Sequence, residues 1–179
     1  MDNFFRIDVS QHQWVKNLGD DPEDLCSHGL VFAQIGSEVI CDYDSGALTT
    51  SAAALHLMRT LYKDYTPGDF SGQLLPCCGF FITFDENGPD VQIHGCPNGI
   101  DWTITHLEDG TVKHVTATGT EAIIAFNIYR NDVMAFADAV EQFYKRSQPK
   151  VLPDDKLDVE GYMAFWNEWH RLRAGLTIA

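Results

Sequence analysis

Asp101-Trp102-Thr103-Ile104-Thr105-His106-Leu107 and Thr111-Val112-Lys113-His114-Val115-Thr116 are two β-rich runs separated by Glu108-Asp109-Gly110. Their reading decides the fold. Asp-Gly supplies the positive-φ backbone positions of a tight hairpin, so the two runs are expected to pair as antiparallel strands. Ahead of this hairpin, residues 78–84 and 91–94 form two more strand-like runs around the turn sequence Glu86-Asn87-Gly88-Pro89. Residues 30–35 and 38–43 form another hairpin about Gly36-Ser37. Residues 4–9 alternate, with Phe5, Ile7 and Val9 on one side, and predict a strand.

Helices are expected between and after these strands. Ser10-Gln11-His12-Gln13 has the S-x-x-Q form of a capping box, which predicts a short helix carrying Trp14, Val15 and Leu18 and ending at Gly19. Thr49, Thr50 or Ser51 can cap a second helix. In it Leu55, Met58, Leu61, Tyr62 and Tyr65 recur at helical spacing opposite His56, Arg59 and Lys63, until Pro67-Gly68. Residues 122–129 read as a strand, with a helix as the alternative. Two amphipathic helices close the chain. One carries Val133, Phe136, Ala137, Val140 and Phe143 after an Asn131-Asp132 start. The other carries Tyr162, Phe165, Trp166, Trp169 and Leu172 after Asp158. The expected fold is therefore α+β, a single globular domain over residues 1–179. Its mainly antiparallel or mixed sheet is packed by amphipathic helices, two of them C-terminal.

Twelve basic residues against 26 acidic ones give a formal charge of −14. Such a chain repels nucleic-acid phosphates and anionic membranes, and it attracts basic proteins. No run approaches the roughly 18 apolar residues of a membrane span. The N-terminus has no basic segment followed by an apolar one, so a cytoplasmic location is expected. The odd count of cysteines, Cys26, Cys41, Cys77, Cys78 and Cys96, favours reduced thiols.

Three short clusters carry soft ligands: Cys26 with His28, Cys77 with Cys78, and His94 with Cys96. Thiolate and imidazole are the ligands zinc prefers, and a cysteine beside a base can act as a nucleophile, so a metal- or thiol-dependent enzyme is one reading. The spacing matches no zinc knuckle, and small buried thiols are the plainer expectation. Pro97-Asn98-Gly99 predicts a sharp turn. It either displays Asn98, Asp101 and Trp102 to a partner or lets Trp102 plug the core. The acidic runs 20–24, 85–90 and 154–160 contain no calcium-binding loop. The chain also lacks the glycine-rich, Walker, G-x-S-x-G and H-E-x-x-H motifs. These features favour binding over catalysis, with no cofactor and no metal assigned. A homo-oligomeric structural subunit, using an edge strand or the Trp166/Trp169 helix, is a third reading.

Leu75-Pro76-Cys77-Cys78-Gly79 and Gly95-Cys96-Pro97-Asn98-Gly99-Ile100-Asp101-Trp102 resemble a group of small bacterial proteins with no established activity. That resemblance implies a shared turn between strands and carries no functional residue with it. In size, acidity and α+β content the chain is also similar to immunity proteins of bacterial toxin systems. This similarity implies a basic toxin domain as partner.

Overall fold

The computed structural model describes residues 3–16, 19–69, 72–79, 81–84, 88 and 90–176. Among them the Asp109-Gly110 hairpin forms as expected. β7 (Trp102–His106) pairs antiparallel with β8 (Thr111–Thr116), and Gly110 takes φ 78° at the turn. β9 (Glu121–Ala125) adds to the far side of β8 to complete a meander. A second antiparallel sheet has β2 (His28–Ile35) at its centre, with β1 (Phe5–Gln13) on one side. On its other side lie β3 (Glu38–Cys41), along the end of β2, and β4 (Ala47–Thr49), along its start. β5 (Phe81–Phe84) and β6 (Val91–His94) form a separate hairpin. The turn at 86–89 falls outside the described residues apart from Gly88. The strand expected from residue 78 begins at Phe81.

The helices are α1 (Thr50–Arg59), α2 (Phe126–Arg146) and α3 (Lys156–Leu176). The fold is thus α+β, with antiparallel sheets and two long C-terminal helices packed on strands. One buried cluster draws on all three helices and all nine strands, β5 entering through the partly buried Ile82.

Several local expectations fail for tertiary reasons. Ser10, Gln11, His12 and Gln13 do not cap a helix. They continue β1, with Ser10 opposite Leu30 and Gln13 opposite His28, across a bulge at which Gln11 takes φ 49°. Ladder hydrogen bonds to β2 outweigh two cap bonds. Trp14 then turns into the core, and Leu18 lies outside the described residues. α1 ends at Arg59, and Tyr65 bridges to Ile104 of β7 instead of completing the helix. α2 begins five residues before Asn131, because Ala125 passes directly from β9 into the helix. Residues 122–129 are therefore part strand and part helix.

α1 is not amphipathic in its setting, since all ten of its residues are buried. Ala52, Ala53 and Ala54 let neighbouring elements approach closely, and His56 and Arg59, expected to face solvent, lie inside. Arg59 donates from Nε and Nη2 to the two carboxylate oxygens of Glu168 in α3, at 2.7 and 2.9 Å. The same carboxylate accepts the Val91 N–H at 2.7 Å, and Arg59 Nη2 donates to the Val91 carbonyl at 2.6 Å. One buried ion pair thus ties α1, α3 and β6 together. α3 also lies backbone against backbone on β5: a Cβ on Gly161 would stand 2.1 Å from the Ile82 carbonyl oxygen.

Candidate functional site

Trp102, Asp101 and Asn98 lead away from the core in that order. Trp102 is 1% exposed and donates from Nε1 to His114 Nδ1 at 3.1 Å, so its ring anchors β7 to β8 and is not displayed. Because Nδ1 accepts, His114 is the neutral Nε2–H tautomer. Burial lowers its pKa to about 3, and Phe5 stacks on it at 4.9 Å. The half-buried Asp101 carboxylate accepts from the Tyr65 hydroxyl at 2.9 Å and the Leu74 N–H at 3.2 Å, which ties Tyr65 and Leu74 to the start of β7. Burial pushes its carboxyl upward against those bonds. Asn98 alone is exposed.

The soft-ligand clusters do not converge as one site. His28 donates or accepts locally, with Nδ1 at 3.0 Å from the Cys26 carbonyl and Nε2 at 3.2 Å from Thr49 Oγ1. The Cys26 thiol is buried against the Gly79 carbonyl at 3.5 Å, and burial pushes its pKa up to about 12. His94 points to Thr83 Oγ1 at 2.8 Å, away from Cys96. Cys77, Cys78 and Cys96 do meet. β5 and β6 pair as far as Phe81 opposite His94, and beyond that pair Cys78 lies beside Gly95 and Cys96. The Cys96 N–H donates to Cys78 Sγ at 2.9 Å, and a Cβ on Gly95 would stand 2.1 Å from the Cys78 carbonyl oxygen. The neighbouring Asn98 N–H, followed by the Cys78 and Cys77 thiols, lowers the pKa of the Cys96 thiol. Those thiols are held upward: Cys77 first by donating to Cys96, and Cys78 because the opposing Cys96 sulfur and burial together outweigh the Cys96 N–H. Among the described residues no group of three or more His, Cys, Asp or Glu is disposed to hold a metal ion.

A second locality assembles from loops that the sequence keeps 130 residues apart. The Val151 N–H donates to the Pro22 carbonyl at 2.9 Å, the Gln148 N–H to Asp20 at 2.6 Å, and Lys150 Nζ to the Asp21 carbonyl at 2.7 Å. Lys150 Nζ also lies 3.0 Å above the centre of the Trp14 ring, whose Nε1 donates to Asp20 at 3.1 Å. Asp24 accepts the Val15 N–H at 2.6 Å. Asp154 follows Val151 by three residues, so their Cα atoms are at most about 11 Å apart. Asp20, Asp21, Glu23 and Asp24 therefore lie beside Val151, with Asp154 three residues further along the chain. The counter-charges there include Lys150, Lys16 (3.5 Å from Asp21) and Arg146 on the adjoining cleft. Exposed among them are Val15 at 64%, Val151 at 56% and Leu152 at 39%. A cleft of about 280 Å³ opens beside them, lined by His12, Trp14, Asp20, Phe143 and Arg146. The apolar positions were not picked out from sequence. Val15 reads there as a helix-face residue, and Val151-Leu152 lie between prolines in a stretch without periodicity.

The aromatic stripe of α3 is occupied within the chain. Trp169 is fully buried, and the half-buried Trp166 packs edge-on to Tyr144 and Phe165. No helix of the described residues is long and apolar enough to cross a membrane. No protein-family model, curated protein or solved structure matches the chain.

Proposed function

We propose that this protein is a binding module for a basic protein partner, docked on the end of the molecule where loop 20–24 meets residues 151–155. The observation that carries the reading is the meeting of the acidic loop 20–24 with exposed Val15, Val151 and Leu152. Acidic loops alone would be a solvated surface. Apolar side chains left open among them supply what a charged surface lacks, a water-excluding contact worth about 1.5–3 kcal/mol for each residue fully buried. Each carboxylate attracts a cation 10 Å away by about 0.4 kcal/mol in water. Together they steer a basic surface, and salt screens them over a Debye length of roughly 8 Å. In the form implied by the similarity to immunity proteins, the partner is a toxin domain and docking neutralises it.

The test uses the basic product of a neighbouring gene as binding partner, with rates measured by surface plasmon resonance. Association is expected to slow as salt rises. Glu23→Lys with Asp154→Lys lowers the association rate, and Val151→Asp speeds dissociation. Glu108→Lys, on the β7–β8 turn, serves as the control and changes little. Equal effects from the control and from the docking-face variants would refute the assignment. Neighbouring genes with no basic product that binds would refute the toxin form.

A further inference from the structure

We propose that the cleft between the end of α1 and the last turns of α3 binds a small aromatic carboxylate, held by Arg171 and Lys63 against the ring of Tyr62. The cleft measures about 410 Å³, and Tyr62, Lys63, Asp90, Arg171 and Leu172 line it. It is a positive locality in a chain whose formal charge is −14. Among the described residues, three cations there, Arg59, Lys63 and Arg171, meet two carboxylates, Asp90 and Glu168. Arg59 is matched by Glu168 inside the fold, which leaves Lys63 and Arg171 sharing the single carboxylate of Asp90 at the mouth. A second anion is therefore attracted here, whereas the acidic loop 20–24 attracts cations.

Arg171 supplies the donors. Its side chain is 46% exposed, and Nη2 alone is engaged, at 2.5 Å from Asp90 and 3.9 Å from Glu168. Nε and Nη1 meet no acceptor among the described residues, so the guanidinium keeps N–H groups for the two oxygens of a further carboxylate. Asp90 shows that this pair of cations takes a carboxylate, since it stands 2.5 Å from Arg171 and 3.4 Å from Lys63 Nζ. Beside a bound ligand Asp90 is a like charge and opposes binding. The aromatic part of the ligand is set by Tyr62, which is 47% exposed yet fixed in place. Its hydroxyl donates to the Leu172 carbonyl, and the last turn of α3 comes so near that a Cβ on Gly175 would stand 3.0 Å from the Tyr62 hydroxyl oxygen and 3.6 Å from two ring carbons. A fixed, open ring beside a cation pair is a platform on which a flat apolar ring stacks while its carboxylate reaches the cations.

The experiment titrates the native protein with benzoate and follows its amide NMR shifts. Saturable shifts are expected at residues 61–63 and 171–175. Benzyl alcohol, a ring without the charge, and acetate, the charge without the ring, should both bind more weakly than benzoate. Arg171→Gln should weaken benzoate binding by about tenfold or more, and Arg171→Lys, which keeps the charge without the fork, by less. Asp90→Asn should tighten it by about fivefold, because the like charge beside the ligand is gone. Lys156→Gln, on an exposed lysine about 22 Å away along α3, is the control and should leave binding unchanged. The proposal is overturned by benzoate shifts that do not saturate or that map elsewhere, by acetate or benzyl alcohol binding as tightly as benzoate, by Asp90→Asn binding no more tightly than wild type, or by Arg171→Gln behaving like the control.

Discussion

Replacing Glu168 by alanine tests the buried ion pair that joins three elements. The Glu168 side chain is fully buried and that of Arg59 is 4% exposed, so water cannot take over from a missing partner. The substitution removes both bonds from Arg59 and the acceptor of the Val91 N–H, while Arg59 keeps the Val91 carbonyl. A buried cation without its carboxylate costs about 3–5 kcal/mol. In a chain of this length that corresponds to a fall in Tm of roughly 6–20 °C. Urea unfolding followed by the fluorescence of Trp166 and Trp169, which flank the site, reads the loss directly. Arg59→Met with Glu168→Leu removes both charges of the buried pair and leaves the Val91 N–H and carbonyl without these partners. It should therefore lose less than Glu168→Ala, about 1–3 kcal/mol. Glu168→Ala within about 1 kcal/mol of wild type would refute the reasoning. So would a double variant as unstable as the single one.

Acid should destabilise the fold through its buried histidines. Burial lowers His56 and His114 to about 3 and His12 to about 4, against the ordinary histidine value of 6.5. Between about pH 6.5 and these lower values the unfolded chain binds more protons, so stability falls as pH falls, by up to about 1.4 kcal/mol per unit for each histidine. Urea midpoints measured across that range should show the slope. His114→Gln, which keeps an acceptor for Trp102, should flatten it, and an unchanged slope would show that His114 titrates alike in both states. Gly161→Ala sets two effects against each other. Helix propensity favours alanine by about 1 kcal/mol. The 2.1 Å approach to the Ile82 carbonyl oxygen forces α3 off β5 and should cost more than that gain. Urea unfolding should show a net loss, and a stabilised variant would mean that α3 is not seated on β5.

What could be read from sequence was local. The Asp109-Gly110 hairpin needs only its own turn residues and the alternation beside them. The stripes of α2 and α3 likewise carry their own evidence in their periodicity. Ser10 to Gln13 and the polar face of α1 were misread because their partners lie elsewhere: β2 some 20 residues on for the first, Glu168 109 residues on for Arg59. The thiol cluster was partly legible. A hairpin centred on the 86–89 turn pairs Phe81 with His94, as observed, and so brings the segment holding Cys78 near the one holding Cys96. The pairing of Cys96 with His94 failed because neighbouring side chains two apart share a face only while the strand lasts, and β6 ends at His94. The acidic, apolar end was invisible, since it depends on Val151 meeting Pro22.

The separation of Arg59 from Glu168 also orders events during synthesis. The guanidinium emerges with the first third of the chain, whereas its carboxylate lies within the last dozen residues. Until α3 leaves the ribosome, the interior around α1 would have to close on an unmatched cation. The β1–β4 sheet and the β7–β9 meander can pair as they appear, but their consolidation about α1 waits for α3. A chain cut short before Glu168 would retain hairpins without a settled centre, so the ion pair ties closure of the interior to the arrival of α3.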